Sequence, residues 1–136
     1  MKSIRVIVVD NNHFFRKTLV KFLVEEFATI VVAEFDDLDE LLVFEDLFCV
    51  DVVFVSGSVF DEKKLKIVGM ILWNCPFVKF IGISSITDFH YLRYMLEVGL
   101  KGFVCKDEVL NEIKNAIDMV MKGKYYFSKN ISGNLK

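Results

Sequence analysis

The sequence predicts a doubly wound α/β domain, in which a five-stranded parallel sheet carries helices on both faces. Short runs rich in Val and Ile, typical of strands that are buried on both faces, recur along the chain. Between these runs, apolar residues recur every three or four positions, as they do in amphipathic helices. The chain has 136 residues, which suits one domain with its own core.

The strands are predicted from apolar runs that end at polar residues or glycine. They are Ile4 to Val9, Thr29 to Ala33, Val50 to Val55, Val78 to Ile83 and Gly102 to Cys105. The third run is apolar almost without interruption after Asp51, which indicates a central strand. Pro76 separates the fourth strand from the helix before it, because proline cannot continue a helix.

Five helices are predicted from apolar residues at helical spacing. Their defining residues are, in order, Phe15, Leu19, Phe22 and Leu23; Leu38, Leu41 and Leu42; Leu65, Val68 and Leu72; Leu92, Met95 and Leu96; and Leu110, Ile113, Ile117 and Val120. Residues suited to helix ends flank them: Asn11 or Asn12 before the first, Asp36 or Asp37 before the second, and Gly99 and Gly123 after the last two.

The composition argues against several classes of function. The net charge is -2 and no basic run occurs, so a nucleic-acid surface is not expected within these residues. Charges interrupt every apolar run, and the first residues lack the features of a secretion signal, so we expect a cytoplasmic protein without a membrane span. The three cysteines and two histidines lack ligand spacing, which predicts no metal site and no cofactor.

Polar residues gather where the predicted strands end. Asp10 and Asn11 follow the first strand, Ser56 the third, Ser84 the fourth and Lys106 the fifth. In an open parallel sheet, ligands bind beyond the carboxyl ends of the strands. We therefore expect these five side chains to converge on one pocket.

The chain resembles the receiver domains of two-component response regulators, and within them the NarL/FixJ-like class of transcription regulators. Near-gapless anchors carry the resemblance: Val8-Val9-Asp10-Asn11, Phe15-Arg16, the strand ending at Ser56, Ile83-Ser84, Gly99 with Gly102-Phe103-Val104-Cys105-Lys106-Asp107, and Gly123-Lys124-Tyr125-Tyr126-Phe127-Ser128. It implies the flavodoxin-like (CheY-like) strand order 2-1-3-4-5, a receiver domain over residues 1–128, and the start of a linker or tail at 129–136. DNA contact would need a helix-turn-helix beyond this chain, which is either a truncated piece or a stand-alone receiver.

In such receivers, two acidic residues after the first strand hold magnesium, and an aspartate ending the third strand accepts the phosphoryl group. A Ser or Thr ending the fourth strand and a Lys ending the fifth contact that phosphate. The resemblance assigns the metal positions to Asp10 and Asn11, the acceptor position to Ser56, and the contact positions to Ser84 and Lys106. An amide and a hydroxyl thus replace two carboxylates in a degenerate phosphorylation pocket.

The chemical consequences follow from the side chains themselves. Magnesium is normally held by carboxylates, so binding at Asp10 alone should be weak or absent. A serine hydroxyl is poorly nucleophilic unless a base activates it. We expect Lys106 to be protonated and paired with Asp10. The sequence therefore predicts a phosphorylation-independent receiver without enzymatic activity, which signals by docking or dimerisation, in transcription regulation.

Alternative switches remain open at this stage. The altered pocket could bind a small anion or metabolite, or another kinase could phosphorylate Ser56 and bring negative charge towards Lys106 and Ser84. Asp61 is a spare carboxylate near the pocket, but its place in the loop before the third helix makes it a poor substitute acceptor.

A candidate partner surface consists of Tyr91, Tyr94 and Met95 on the fourth helix, together with Phe103. In receivers the face formed by the fourth helix, fifth strand and fifth helix commonly mediates dimerisation, and exposed aromatic residues would suit that use. Aromatic residues at helical spacing also occur in cores, so both interpretations stand. The expected partner is a second copy of the chain.

Overall fold

The computed structural model describes residues 3–56, 61–84 and 92–129, with Glu62 described by its backbone alone. Strands and helices alternate along the chain. The strands are β1 (Ile4–Val9), β2 (Thr29–Phe35), β3 (Val52–Ser56), β4 (Lys79–Ser84), β5 (Gly102–Cys105) and β6 (Tyr126–Phe127). The helices are α1 (His13–Glu26), α2 (Leu38–Leu42), α3 (Glu62–Asn74), α4 (Leu92–Val98) and α5 (Val109–Met121), with 3-10 turns at Leu47–Cys49 and Lys106–Glu108.

The strands form one parallel sheet in the order β2-β1-β3-β4-β5-β6. The predicted fold class and the order of the first five strands are confirmed. The sequence did not predict β6, because its two residues are too short to show an alternating pattern. β6 pairs with β5 in parallel and extends that edge of the sheet.

Two strands begin later than predicted because local turns occupy backbone groups just before them. The N–H of Val50 donates to the carbonyl of Leu47, so β3 begins at Val52 rather than Val50. The N–H of Val78 likewise donates to Cys75, so β4 begins at Lys79. At the other end, β2 continues beyond its predicted last residue, Ala33, to Phe35.

The sheet separates two apolar layers, as the doubly wound prediction requires. Residues of α2, α3 and α4 pack on one face, and residues of α1 and α5 pack on the other. Side chains along β3 alternate between the layers: Val53 and Val55 join the first, and Val52 and Phe54 join the second. This explains why β3 is continuously apolar, since both of its faces are buried.

Capping side chains decide where three helices begin. The Oδ1 atoms of Asn12 and Asp37 accept hydrogen bonds from Phe15 N (3.1 Å) and Leu38 N (2.7 Å). Asn12 and Asp37, rather than Asn11 and Asp36, are therefore the caps of α1 and α2. Asp61 caps α3 in the same way, accepting from Lys64 N at 2.8 Å.

Two features of the last helices refine the predictions. Gly99 ends α4 with a φ of 112°, in the left-handed region that favours glycine. In α5 the predicted stripe was wrong in one member: Leu110 is exposed and Val109 is buried. Counting from Val109, the buried positions Ile113, Ile117 and Val120 keep to one face, whereas Leu110 is turned about 100° away. None of the helices in the described part of the chain has both the length and the apolar content of a membrane span.

Truncating the ring at the centre of the sheet should destabilise the protein strongly. Phe54 is fully buried, whereas Phe14 is 83% exposed. We expect Phe54→Ala to lower the free energy of unfolding by about 3–5 kcal/mol, since it leaves a cavity between α1, α5 and the sheet. Urea unfolding measures this. Phe14→Ala is the matched control and should change stability by no more than about 0.5 kcal/mol; equal losses in both variants would contradict the layer assignment.

Candidate functional site

The strand-end residues lie along one edge of the sheet. β1 pairs with β3 so that Val9 lies opposite Val55, and β3 pairs with β4 so that Ser56 lies opposite Ile83. Ser84 lies opposite Cys105, the residue before Lys106. Parallel pairing thus brings Asp10, Ser56, Ser84 and Lys106 to the carboxyl ends of four neighbouring strands.

These residues differ in their contact with solvent. Asp10 and Ser56 are buried, with 1% and 3% of their surface exposed. Ser84 is half-buried and Asn11 is exposed. The carboxylate of Asp10 accepts a hydrogen bond from Asn12 N at 2.8 Å. Asp10 therefore shapes the turn that leads into α1, and it lies next to a buried hydroxyl at the end of β3.

Lys106 does not form the ion pair that the sequence predicted. The ion pairs among the described residues do not include Asp10 with Lys106. Instead, Lys106 Nζ lies over the ring of Phe15 in α1, 4.5 Å from the ring centroid, where a cation–π attraction stabilises it. Lys106 begins a 3-10 turn and is partly exposed, as is common for a long cationic side chain that packs its stem on apolar surface.

An ionic network that the sequence reasoning missed lies beside this pocket. Arg16 Nε donates to Glu34 at 3.2 Å, and Arg16 Nη1 donates to Asp36 and, at 2.8 Å, to the carbonyl of Asp10. His13 Nε2 also contacts Asp36, at 2.8 Å. Hydrogen bonds from Arg16 and then His13 lower the pKa of the Asp36 carboxyl. Arg16 is one of the residues that carry the family resemblance. Its contact with the end of β2 could not be predicted from the sequence, because that contact depends on β2 lying beside β1 in the sheet.

The pocket residues do not fit a magnesium ion. Of the five predicted positions only Asp10 supplies a carboxylate, and one of its oxygens accepts from Asn12 N. Asn11 contributes an amide and Ser56 a hydroxyl, whereas magnesium is usually held by one or two carboxylates. Within residues 3–56, 61–84 and 92–129, no group of three or more His, Cys, Asp or Glu side chains could hold a metal ion.

Of the two interpretations left open for Met95 and Phe103, core or partner surface, their burial in the structure favours the core. Both are buried in the layer formed with α2, α3 and α4. Phe103 stacks on Phe127 of β6 with ring centroids 5.4 Å apart, so the unpredicted sixth strand helps to cover it. Tyr94 is half-buried against the same core, and Tyr91 lies outside the described residues.

The segment after α5 is held to β5 by a buried hydrogen-bond network. Ser128 is fully buried; its N–H donates to Phe103 O at 2.8 Å, and its Oγ accepts from Cys105 N at 3.2 Å. The hydroxyl groups of Ser128 and Tyr126 both donate to the carboxylate of Glu112 in α5. The end of β5, where the pocket lies, is therefore tied directly to the segment by which the chain leaves the domain. Of the predicted tail, residues 130–136 lie outside the described residues.

No family model matches the sequence. The chain is 21% identical over 133 residues to the transcriptional regulatory protein DegU of Brevibacillus brevis, a match that covers 98% of this chain and 56% of DegU. It is 26% identical over 132 residues to the response regulator GacA of Pseudomonas viridiflava, covering 97% of this chain and 62% of GacA. The chain thus spans less than two thirds of the length of these relatives.

Solved structures show the same fold. The isolated REC domain of RcsB from Salmonella enterica serovar Typhimurium, in the presence of phosphomimetic BeF3-, matches with a TM-score of 0.84 and 20% identity, covering 99% of this chain and all of that one. A structure of two RcsB dimers bound to two parallel DNAs matches with a TM-score of 0.85 and 20% identity, and covers 98% of this chain and 68% of the RcsB chain.

These comparisons confirm the fold that the resemblance implied. The fold is that of a response-regulator receiver domain. The curated proteins to which the sequence is similar include the transcriptional regulatory protein DegU and the response regulator GacA.

Removing the Asp36 carboxylate should make the free energy of unfolding depend less steeply on pH in the acid range. Its pKa is lowered in the folded protein, so it favours folding above the ordinary aspartate pKa of about 3.9, and this contribution is lost as the pH falls through the lowered pKa. We expect Asp36→Asn to lose less stability than wild type between about pH 5 and pH 2. Urea unfolding at several pH values measures this. Asp118→Asn, at an exposed site on α5, is the control. If the free energy of unfolding of Asp36→Asn fell with pH as steeply as that of wild type, the network would be contradicted.

Loss of the Ser128 hydroxyl should loosen the C-terminal segment. In Ser128→Ala the buried N–H of Cys105 loses its acceptor and Glu112 loses a donor, which should lower the free energy of unfolding by about 1–3 kcal/mol. Limited proteolysis should then cut after α5 more readily. Lys129→Ala, at the exposed neighbouring residue, is the control for both measurements. Unchanged stability and cleavage in Ser128→Ala would show that the network does not hold the segment.

Proposed function

We propose that this chain is a receiver domain that signals without phosphorylation of an aspartate at its strand-end pocket. The observation that carries the proposal is Ser56, a buried serine that ends β3 next to Asp10. In the receiver family that the chain resembles, this strand end holds the acceptor aspartate. A hydroxyl at this position cannot form an acyl phosphate, since that chemistry requires a carboxylate nucleophile.

The surroundings of Ser56 support the same proposal. With one carboxylate among the five pocket residues, the site lacks the oxygen ligands that would hold magnesium beside an incoming phosphate. Lys106, which contacts the phosphate in the family, rests over Phe15. Only 3% of Ser56 is exposed, so its hydroxyl is also poorly accessible to an external kinase.

The output that we propose is non-enzymatic regulation of transcription by a dimer. DegU is described as a transcriptional regulatory protein, and RcsB has been solved as dimers bound to DNA. The chain spans 56% of DegU, and we infer that DNA contact belongs to a module outside these residues. The route from the pocket to that module would be the contact between β5 and Ser128.

Intact-mass measurement tests the proposal. After incubation with acetyl phosphate and magnesium, we expect wild-type protein to keep its mass. We expect the double variant Asn11→Asp with Ser56→Asp to gain one phosphoryl group that hydroxylamine removes, because the variant supplies both missing carboxylates. Each single variant is a matched control that supplies only one of them. Circular dichroism should show the same fold for all proteins.

Each other outcome has a distinct meaning. A hydroxylamine-labile phosphoryl group on wild type would overturn the proposal, and its loss in Asp61→Asn would assign it to Asp61, which caps α3 at an exposed site. A stable ester on wild type that is lost in Ser56→Ala would favour switching by serine phosphorylation. If the double variant gains no mass, the two missing carboxylates do not account for the lost chemistry.

A further inference from the structure

The outer face of α3 carries a continuous exposed stripe. Lys63, Lys66, Met70 and Trp73 follow each other at intervals of three, four and three residues, so they share one face of the helix. All four are exposed, and Trp73 is exposed to 88%. The opposite face of α3 packs into the core. We call this set the basic-apolar stripe.

The neighbouring surface around α2 has the opposite charge. The exposed residues of this surface are Glu40, Val43, Glu45, Asp46 and Phe48. Leu41 and Leu47, which lie between them in the chain, are buried and anchor the segment to the core. The sequence contains no Lys or Arg between Lys21 and Lys63, so no basic residue of this segment offsets the acidic ones. We call this set the acidic-apolar surface.

Both surfaces present large apolar side chains that the monomer does not cover. Val43 and Phe48 are exposed to 76% and 70%, similar to Trp73. Single exposed apolar residues are ordinary, but a group bordered by charges is typical of interaction sites. Tryptophan is also the residue type most enriched among those that dominate interface energies.

The two surfaces lie next to each other on the same side of the sheet. Lys64 Nζ in α3 contacts Asp37 at 2.8 Å and Asp39 at 2.7 Å, which holds α3 beside α2. A two-fold axis between these helices would set the basic-apolar stripe of each copy on the acidic-apolar surface of the other. Such an arrangement is closed and self-complementary, as dimer interfaces commonly are.

We propose that the occupant of this face is a second copy of the chain, bound as a symmetric dimer through α2 and α3. This deepens the dimer of the proposed function, on which it rests, and replaces the predicted face around the buried Met95 and Phe103. Charge selects the partner: Glu40, Glu45 and Asp46 would repel nucleic acid or an anionic membrane. An acidic peptide would suit the stripe on α3 but would leave Val43 and Phe48 uncovered.

The chain carries its own probe for this interface. Trp73 is the only tryptophan, so fluorescence excited selectively at tryptophan reports on the proposed contact alone. On dilution of the dimer we expect the emission to shift to longer wavelength, as Trp73 becomes exposed to water. The midpoint of that shift should coincide with the change from dimer to monomer mass in light scattering.

A charge-swap experiment tests the pairing of the two surfaces. We expect Lys63→Glu with Lys66→Glu, and separately Glu45→Lys with Asp46→Lys, to weaken self-association at least about tenfold, because like charges then face each other. An equimolar mixture of the two variants should restore the dimer, since every contact becomes attractive again. Lys114→Glu with Lys122→Glu, at exposed positions on α5 and directly after it, is the control and should remain dimeric.

The outcomes separate this inference from the proposed function. The dimer uses another face if the charge-reversed variants stay dimeric, or if the emission of Trp73 does not change when the dimer dissociates. In either case only this inference fails. If each variant is monomeric and their equimolar mixture is also monomeric, the two surfaces do not pair and the inference fails as well. A wild-type monomer at all concentrations would remove the dimer from both proposals. The phosphorylation test measures intact mass, so its result does not depend on the charge-swap or fluorescence experiments.

Discussion

Burial of β3 on both faces is the constraint on which the rest of the structure depends. All five of its residues pair with β4, and its first four, 52–55, pair with β1 and send side chains into both apolar layers. A strand enclosed in this way is typical of parallel sheets, whose strands are connected by crossovers that usually contain a helix. The carboxyl ends of β1, β3, β4 and β5 then meet at one edge, so the chemistry of the domain is decided by the few residues that follow these strands.

At that edge an ionic network centred on Arg16 lies beside the pocket. Buried Ser56 lies at the end of β3, while Arg16 joins the ends of β1 and β2 through Asp10, Glu34 and Asp36. These contacts fasten α1 to the sheet without requiring a metal or a phosphate. A pocket arranged in this way can support the fold. Under the function proposed above, the signal would pass through the surfaces and through the segment that β5 binds.

Much of the fold could be predicted because it follows from local patterns. Apolar runs located five strands, and caps such as Asn12 and Asp37 were among the residues proposed for the helix starts. The pocket positions Asp10, Ser56, Ser84 and Lys106 could be named because strand ends are visible in the sequence. β6 and the Glu112 network with Tyr126 and Ser128 could not, since they depend on contacts between segments 14 or more residues apart.

The sequence by itself determined the layered α/β class and the chemical nature of the pocket, because hydrophobic periodicity and side-chain identity are local properties. Only the tertiary structure decided which apolar residues are covered: Phe103 is buried and stacks on Phe127 of the neighbouring β6, whereas Trp73 faces solvent. It also turned Lys106 towards Phe15 instead of Asp10. The physical reason is that burial and ion pairing depend on distances between segments remote in the chain, and these distances exist only once the sheet has assembled.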